Sequence, residues 1–173
     1  NILALQAAGC SVIVDDISYY NESPFQDAII AQAVNTVSAA GVMYFSAAGN
    51  SGNLNDGTSG TWEGDFLDGG AAGGPLPPVG NVHDFGGGTT FNTITSGSRP
   101  RVDVFWADPL DGSSNDYDLF ILDSTGTSVE ASSTNIQSGT QDPYESNSSV
   151  FLTAGMRIVV VKNPGAANRF LHV

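Results

Sequence analysis

Asn50 is the residue of this chain best placed to do chemistry. It follows the apolar, β-branched and aromatic run Val42-Met43-Tyr44-Phe45 and then the small residues Ser46-Ala47-Ala48-Gly49. Such a run reads as a buried strand of a parallel sheet. Small residues after it let a backbone or a ligand come close, and Gly49 accepts backbone conformations that other residues resist. Asn50 then falls just beyond the carboxyl end of the strand, where open α/β sheets place their sites. A carboxamide there can donate N–H to a charge that develops during a reaction. That is an oxyanion-hole task, in which one donor is worth roughly 2.7–4 kcal/mol. The same residues also describe an ordinary βα-unit turn with Asn50 as a turn former.

A second group of residues carries a different chemistry. Asp108, Asp111, Asn115, Asp116 and Asp118 crowd oxygen ligands into eleven positions. Ca²⁺ takes six to eight oxygens from carboxylates, carboxamides and backbone carbonyls. Asp116 and Asp118 alternate along a strand-like run, so they share a face and can converge on one ion. The spacing is not that of an EF-hand loop. A polar loop whose Asp and Asn side chains cap turns accounts for the same residues, and both readings stay open.

The elements that must position these residues differ along the chain. Asn1 to Gly9 reads as the last turns of a helix with Gly9 as its stop, which makes the chain read as an excised piece of a larger protein. Cys10 to Asp16 reads as a core strand, with Cys10 a small buried residue rather than a reactive thiol. Ser23 is an apt N-cap and Pro24 suits the first position of a helix running to Ala40, with Ile29, Ile30, Ala33, Val34 and Val37 as its apolar face. Gly41 ends it, and Val42 opens the strand that leads to Asn50. This is a βαβ pattern. From Ser51 the chain turns rich in Gly, Pro, Asp and Asn, and residues 61–82 read as a linker pinned by Trp62 and Phe66. Beyond it, Val102–Trp106, Tyr117–Asp123, Ser149–Leu152, Met156–Lys162 and Arg169–Val173 read as short strands of an antiparallel sandwich or jelly roll. The expected organisation is 1–60 α/β, 61–82 linker and 83–173 β-sandwich.

Val42 to Gly52, with Cys10-Ser11-Val12-Ile13-Val14-Asp15-Asp16 and the intervening helix, resembles the block around the oxyanion-hole asparagine of subtilisin-like serine proteases. That resemblance implies part of a parallel α/β catalytic domain over about the first third of the chain. It implies that Asn50 is the oxyanion donor, that Ala47, Ala48 and Gly49 line a substrate wall, and that Asp16-Ile17-Ser18 is the substrate-pairing segment. The family usually carries Ser-Leu-Gly at that segment, so Asp16 departs from its pattern. Phe105-Trp106-Ala107-Asp108-Pro109, Asn115 to Ile121 and Asp142-Pro143-Tyr144-Glu145 resemble the bacterial pre-peptidase C-terminal class of β-sandwich, which accompanies secreted proteases. Such a module would sit here as an insertion between the oxyanion Asn and the nucleophile.

A subtilisin-like enzyme also needs an Asp, a His and a nucleophilic Ser. Gly57-Thr58-Ser59-Gly60 imitates the Ser block but runs on into Thr61-Trp62-Glu63 rather than into a helix of small residues. His83 follows the Gly/Pro tract and His172 ends a strand-like run; neither sits where a catalytic base is needed. Composition narrows the remaining choices. A formal net charge of −13 with five Lys plus Arg excludes a nucleic-acid partner, which requires a basic face. No run is long enough to insert into a membrane. An acidic chain rich in Gly, Ser and Thr fits a secreted or cell-surface bacterial protein.

The expectation is therefore a fragment of a secreted subtilisin-like serine endopeptidase that acts on polypeptides, inactive without the remainder of its catalytic domain. It needs no catalytic cofactor and takes Ca²⁺ as a structural ion. The rival readings are a Ca²⁺-dependent β-sandwich binding or adhesion module and a non-catalytic pseudoprotease piece.

Overall fold

The computed structural model describes residues 2–95 and 101–173. It is rich in β-structure with few helices, and it divides into two compact units, Asn1–Gly60 and Thr61–Val173.

The first unit runs α1 (Ile2–Ala7), β1 (Val12–Asp15), α2 (Ile29–Ala39) and β2 (Met43–Ser46). β1 and β2 pair in parallel with Val12 opposite Met43 and Asp15 opposite Ser46. Both helices end the same way. Gly9 N–H donates to Gln6 O and Cys10 N–H to Leu5 O; Gly41 N–H donates to Ser38 O and Val42 N–H to Val37 O. These are Schellman ends, and both glycines take the positive φ the motif demands, 89° and 87°. Cys10 lies in that turn, half-buried, and not in the strand.

α2 begins five residues later than Pro24. Ser23 Oγ instead accepts the Phe25 N–H at 3.2 Å. The helix is capped from a distance, because the Glu22 carboxylate accepts the N–H groups of Ile30 (3.3 Å) and Ala31 (2.8 Å). A carboxylate on the free N–H groups of a first turn also complements the helix dipole.

The two faces of the β1–β2 pair are unequal. α2 packs on β2 and on α1. Ile13 and Val37 are buried on that side. The alternate residues Val12, Val14, Met43 and Phe45 form the other face and are exposed, Val14 at 75%.

The second unit is two antiparallel sheets. Its strands are β3 (Glu63–Asp65), β4 (Asp68–Ala71), β5 (Asn81–His83), β6 (Asn92–Thr93), β7 (Val102–Trp106), β8 (Tyr117–Leu122), β9 (Val129–Ser133), β10 (Tyr144–Asn147), β11 (Arg157–Lys162) and β12 (Phe170–His172). One sheet has the order β10-β7-β12-β3 and the other β4-β5-β11-β8-β9, with β6 also on β11. Val104 and Trp106 from the first sheet meet Leu119, Ile121, Ile158 and Val160 from the second in one core.

The Gly/Pro-rich tract is not a linker. Residues 61–82 supply β3, which pairs with β12, and β4 and β5, which join the edge of β11. The reason lies in β8 and β11, which are apolar on both faces. Phe120, Leu122, Val159 and Val161 point away from the main core, and Ala72 and Leu76 from the tract cover them together with Val82. Gly80 makes the approach possible: its φ is 78°, and a Cβ there would lie 2.4 Å from the Lys162 carbonyl oxygen.

Ser149–Leu152 does not form the expected strand. Leu152 is buried at an isolated bridge while Phe151 is exposed, and the strand of this region is β10, just before it.

Candidate functional site

β1 and β2 end side by side. The Ala47 N–H donates to Asp15 O at 2.9 Å, which carries the parallel ladder one residue past β2. The chain then leaves both strands on the same edge. Asp16, Ile17 and Ser18 leave β1, and Ala47, Ala48, Gly49 and Asn50 leave β2; all seven are exposed. Gly49 takes φ 78°, so the backbone turns there in a way a larger residue resists, and Asn50 is delivered just after the turn. The structure thus brings the oxyanion candidate and the two substrate-wall segments to one edge, at the carboxyl ends of a parallel pair.

Three residues at this edge went unread in the sequence. Asp15 is buried, and its carboxylate accepts the Tyr44 hydroxyl and the Ile17 N–H, the latter at 3.0 Å. Tyr19 adds a second hydroxyl. The Tyr44 hydroxyl and the other donors hold the Asp15 carboxyl below the usual range against the cost of burial. Burial and the adjacent carboxylate push Tyr44 up, so it stays a donor. Tyr44 is paired with Ile13, making it the diagonal neighbour of Asp15 on the helix-covered face. The doublet Asp15-Asp16 at a strand end was the available signal.

The acidic group at 108–118 is divided among different partners. Asp108 is buried and joined to Arg169 Nε at 2.5 Å. It also accepts the Asn115 N–H, the Asn115 carboxamide at 2.8 Å and the Ser113 hydroxyl. Burial opposes its ionisation, but Arg169, Asn115 and Ser113 outweigh that and keep its carboxyl low. Asn115 Oδ1 is spent on the Ala167 N–H. Asp111 sits apart at φ 54°, with its N–H on Asp142.

Asp116 accepts the Gln137 N–H at 3.2 Å and the Asn163 carboxamide at 3.1 Å. Burial raises Asp118 to about 6, against a hydrogen bond from Asn163 and with help from the charges of Asp116 and Glu145. Close by, the Gln137 carboxamide donates to Glu145 at 2.9 Å, and its Oε1 is buried with no partner. Asp108 and Asn115 are committed to Arg169 and Ala167, and Asp116 to Gln137 and Asn163, which leaves Gln137 Oε1 as the unpartnered buried oxygen of this region. Among the described residues, no group of three His, Cys, Asp or Glu side chains is arranged to hold a metal ion.

The two histidines have structural surroundings. His83 is fully buried between Trp62 and Phe85, with ring centroids 4.6 Å from each, and its Nδ1 accepts the Leu67 N–H at 3.2 Å. Burial lowers its pKa. His172 Nδ1 lies 2.7 Å from Glu63 Oε1. Ser59 lies in an irregular loop.

Among the described residues, no helix is long and apolar enough to cross a membrane. No protein-family model matches this chain, and neither a curated protein nor a solved structure matches it.

Proposed function

We propose that this chain is the oxyanion-bearing part of a secreted or cell-surface bacterial subtilisin-like serine endopeptidase, with a β-sandwich set into it. The observation that carries the reading is the shared edge of β1 and β2, where Asn50 emerges beside Asp16-Ile17-Ser18 after a glycine-dependent turn. A carboxamide at that edge stands where a donor to a developing oxyanion would be needed. Ala47, Ala48 and Gly49 add no side-chain bulk and leave room for a polypeptide beside them. His83 and His172 are committed to an aromatic cage and to Glu63, so the base and nucleophile come from the rest of the catalytic domain. A structural Ca²⁺ belongs to the same proposal, held at Asp116 and Asp118 beside Gln137 Oε1 rather than at Asp108.

The test uses the intact parent polypeptide. Asn50→Ala is expected to lower kcat roughly 10²–10³-fold with KM nearly unchanged, because the donor acts on the transition state. The 173-residue chain alone is expected to give no labelling by a serine-directed fluorophosphonate. A loss confined to KM, or stoichiometric labelling of Ser59 in the chain alone, overturns the reading.

A further inference from the structure

Only one of the two ring nitrogens of the buried His83 has a partner. Nδ1 accepts the Leu67 N–H, and Nε2 is bonded to nothing. A neutral imidazole carries one proton, and an accepting Nδ1 places it on Nε2. The next proton therefore has a single place to go, Nδ1, where the Leu67 N–H already points. Two donors cannot share that contact, so protonation breaks the bond to Leu67. It also leaves a charge among the rings of Trp62, Phe85 and Phe66, whose centroids lie 4.6, 4.6 and 5.4 Å away.

The charged groups around the ring do little to offset this. Asp84, the next residue, favours the imidazolium, but burial outweighs it and holds His83 below its ordinary value. Asp68, opposite His83 on β4, spends its carboxylate on the Gly70 N–H and the Asn81 carboxamide. On β3, Glu63 is turned to His172 and Asp65 is exposed. Lys162 on β11 lies over the Phe66 ring at 4.8 Å.

Leu67 stands at a crossing. Phe66 and Leu67 join β3, the edge strand of one sheet, to β4, the edge strand of the other. β3 pairs with β12 alone and β4 with β5 alone. The same two residues tie the sheets down on either side. The Phe66 N–H donates to Arg169 O and the Asp84 N–H to Leu67 O, each at 2.8 Å. The Phe66 side chain is buried in the main core.

We propose that His83 is an acid-sensitive latch, whose neutral ring holds the β3–β4 crossing in place and whose protonation at Nδ1 frees both edge strands together while β8 and β11 stay paired. The device makes acid open one seam of the sandwich before the whole of it.

The test is nuclear magnetic resonance on the 173-residue chain. The ring nitrogen shifts at pH 7.5 are expected to show a proton on Nε2 and none on Nδ1. Amide exchange at Phe66, Leu67 and Asp84, corrected for its intrinsic pH dependence, reads the opening of the crossing. Between pH 7.5 and 5.5 these amides are expected to lose about tenfold in protection, because the open form takes up its proton at the ordinary 6.5 and the closed form does not. The amides of Val159 and Val160 in β11 are expected not to fall. His83→Phe keeps an aromatic ring in the cage without a titrating group, and is expected to leave the three amides equally protected at both pH values. If that variant fails to fold, the ring tautomer and the wild-type exchange pattern decide. A proton on Nδ1 at pH 7.5, an equal loss at Phe66 and Val160, no loss at all, or an acid response that survives His83→Phe overturns the latch.

Discussion

The two units use similar strands and bury them differently. β8 and β11 are apolar on both sides, and the second unit covers both: the facing sheet takes Leu119, Ile121, Ile158 and Val160, and the Ala72–Leu76 segment takes Phe120, Leu122, Val159 and Val161. β1 and β2 are just as apolar, but helices cover only the side of Ile13 and Tyr44, leaving Val12, Val14, Met43 and Phe45 exposed. A parallel pair buried on one face is not a finished layer, since sheets of that kind are covered on both faces. Strand sequence alone does not decide whether a unit can stand by itself; what the same chain can lay across the strands does.

The largest expected effect follows from cutting the chain where the units divide. Residues 61–173 are expected to unfold cooperatively on heating, residues 1–60 to show no cooperative transition, and residues 83–173 to fail as well, because they lack β3, β4 and most of β5. Calorimetry of the three fragments checks this, and a cooperative transition in 1–60 would break the comparison. Point substitutions sharpen it. Leu119→Ala in the closed core is expected to cost about 2–5 kcal/mol, whereas Val14→Ala on the exposed face should stay within roughly 0.5 kcal/mol. Denaturant midpoints at constant slope give both numbers.

A smaller effect separates the carboxylates of the second unit. Saturating Ca²⁺ is expected to raise its melting temperature, by up to about 2.7 kcal/mol of stability at a hundredfold excess over Kd. Asp118→Asn should abolish the rise. An unmoved wild-type midpoint removes the ion from the proposal.

The smallest effect is a pH dependence that only the second unit can show through histidine. Burial lowers the His83 pKa below its ordinary 6.5, so the unfolded chain takes up the proton first. Its contribution is fully present above that value and is lost as pH falls below it. Asp118 works in the opposite direction, its raised pKa favouring the folded state as pH drops through about 6. The difference between wild type and His83→Phe, measured from pH 7.5 to 5.5, isolates the histidine and should grow in favour of the variant toward acid. A constant difference would place His83 outside the acid response.

What could be read from the sequence follows the same division. β7, β8, β11 and β12 were legible because their apolar residues are dense enough to mark a strand without help. β3, β4 and β5 were not, because Glu-Gly-Asp, Asp-Gly-Gly-Ala and Asn-Val-His have no such signal; the pairing of β3 with β12 and of β5 with β11, both far along the chain, and of β4 with β5 makes them strands. The start of α2 was misplaced because its cap is Glu22, outside the local pattern read at Ser23-Pro24. The place of Asn50 was legible because it rests on neighbours in sequence. The fate of Asp108 was not, because Arg169 lies sixty-one residues away.

Trp62 and Val173 exchange two backbone hydrogen bonds of 2.9 Å each, at the open end of the β3–β12 pair. Trp62 and Val173 therefore lie side by side at one edge of the sandwich. The same geometry sets its mechanics. Drawn apart at Trp62 and Val173, the β3–β12 ladder is loaded one rung at a time, like a zipper, rather than in shear along its length. Under tension the sandwich is expected to yield first at this seam, at low force, while β8 and β11 remain paired behind it.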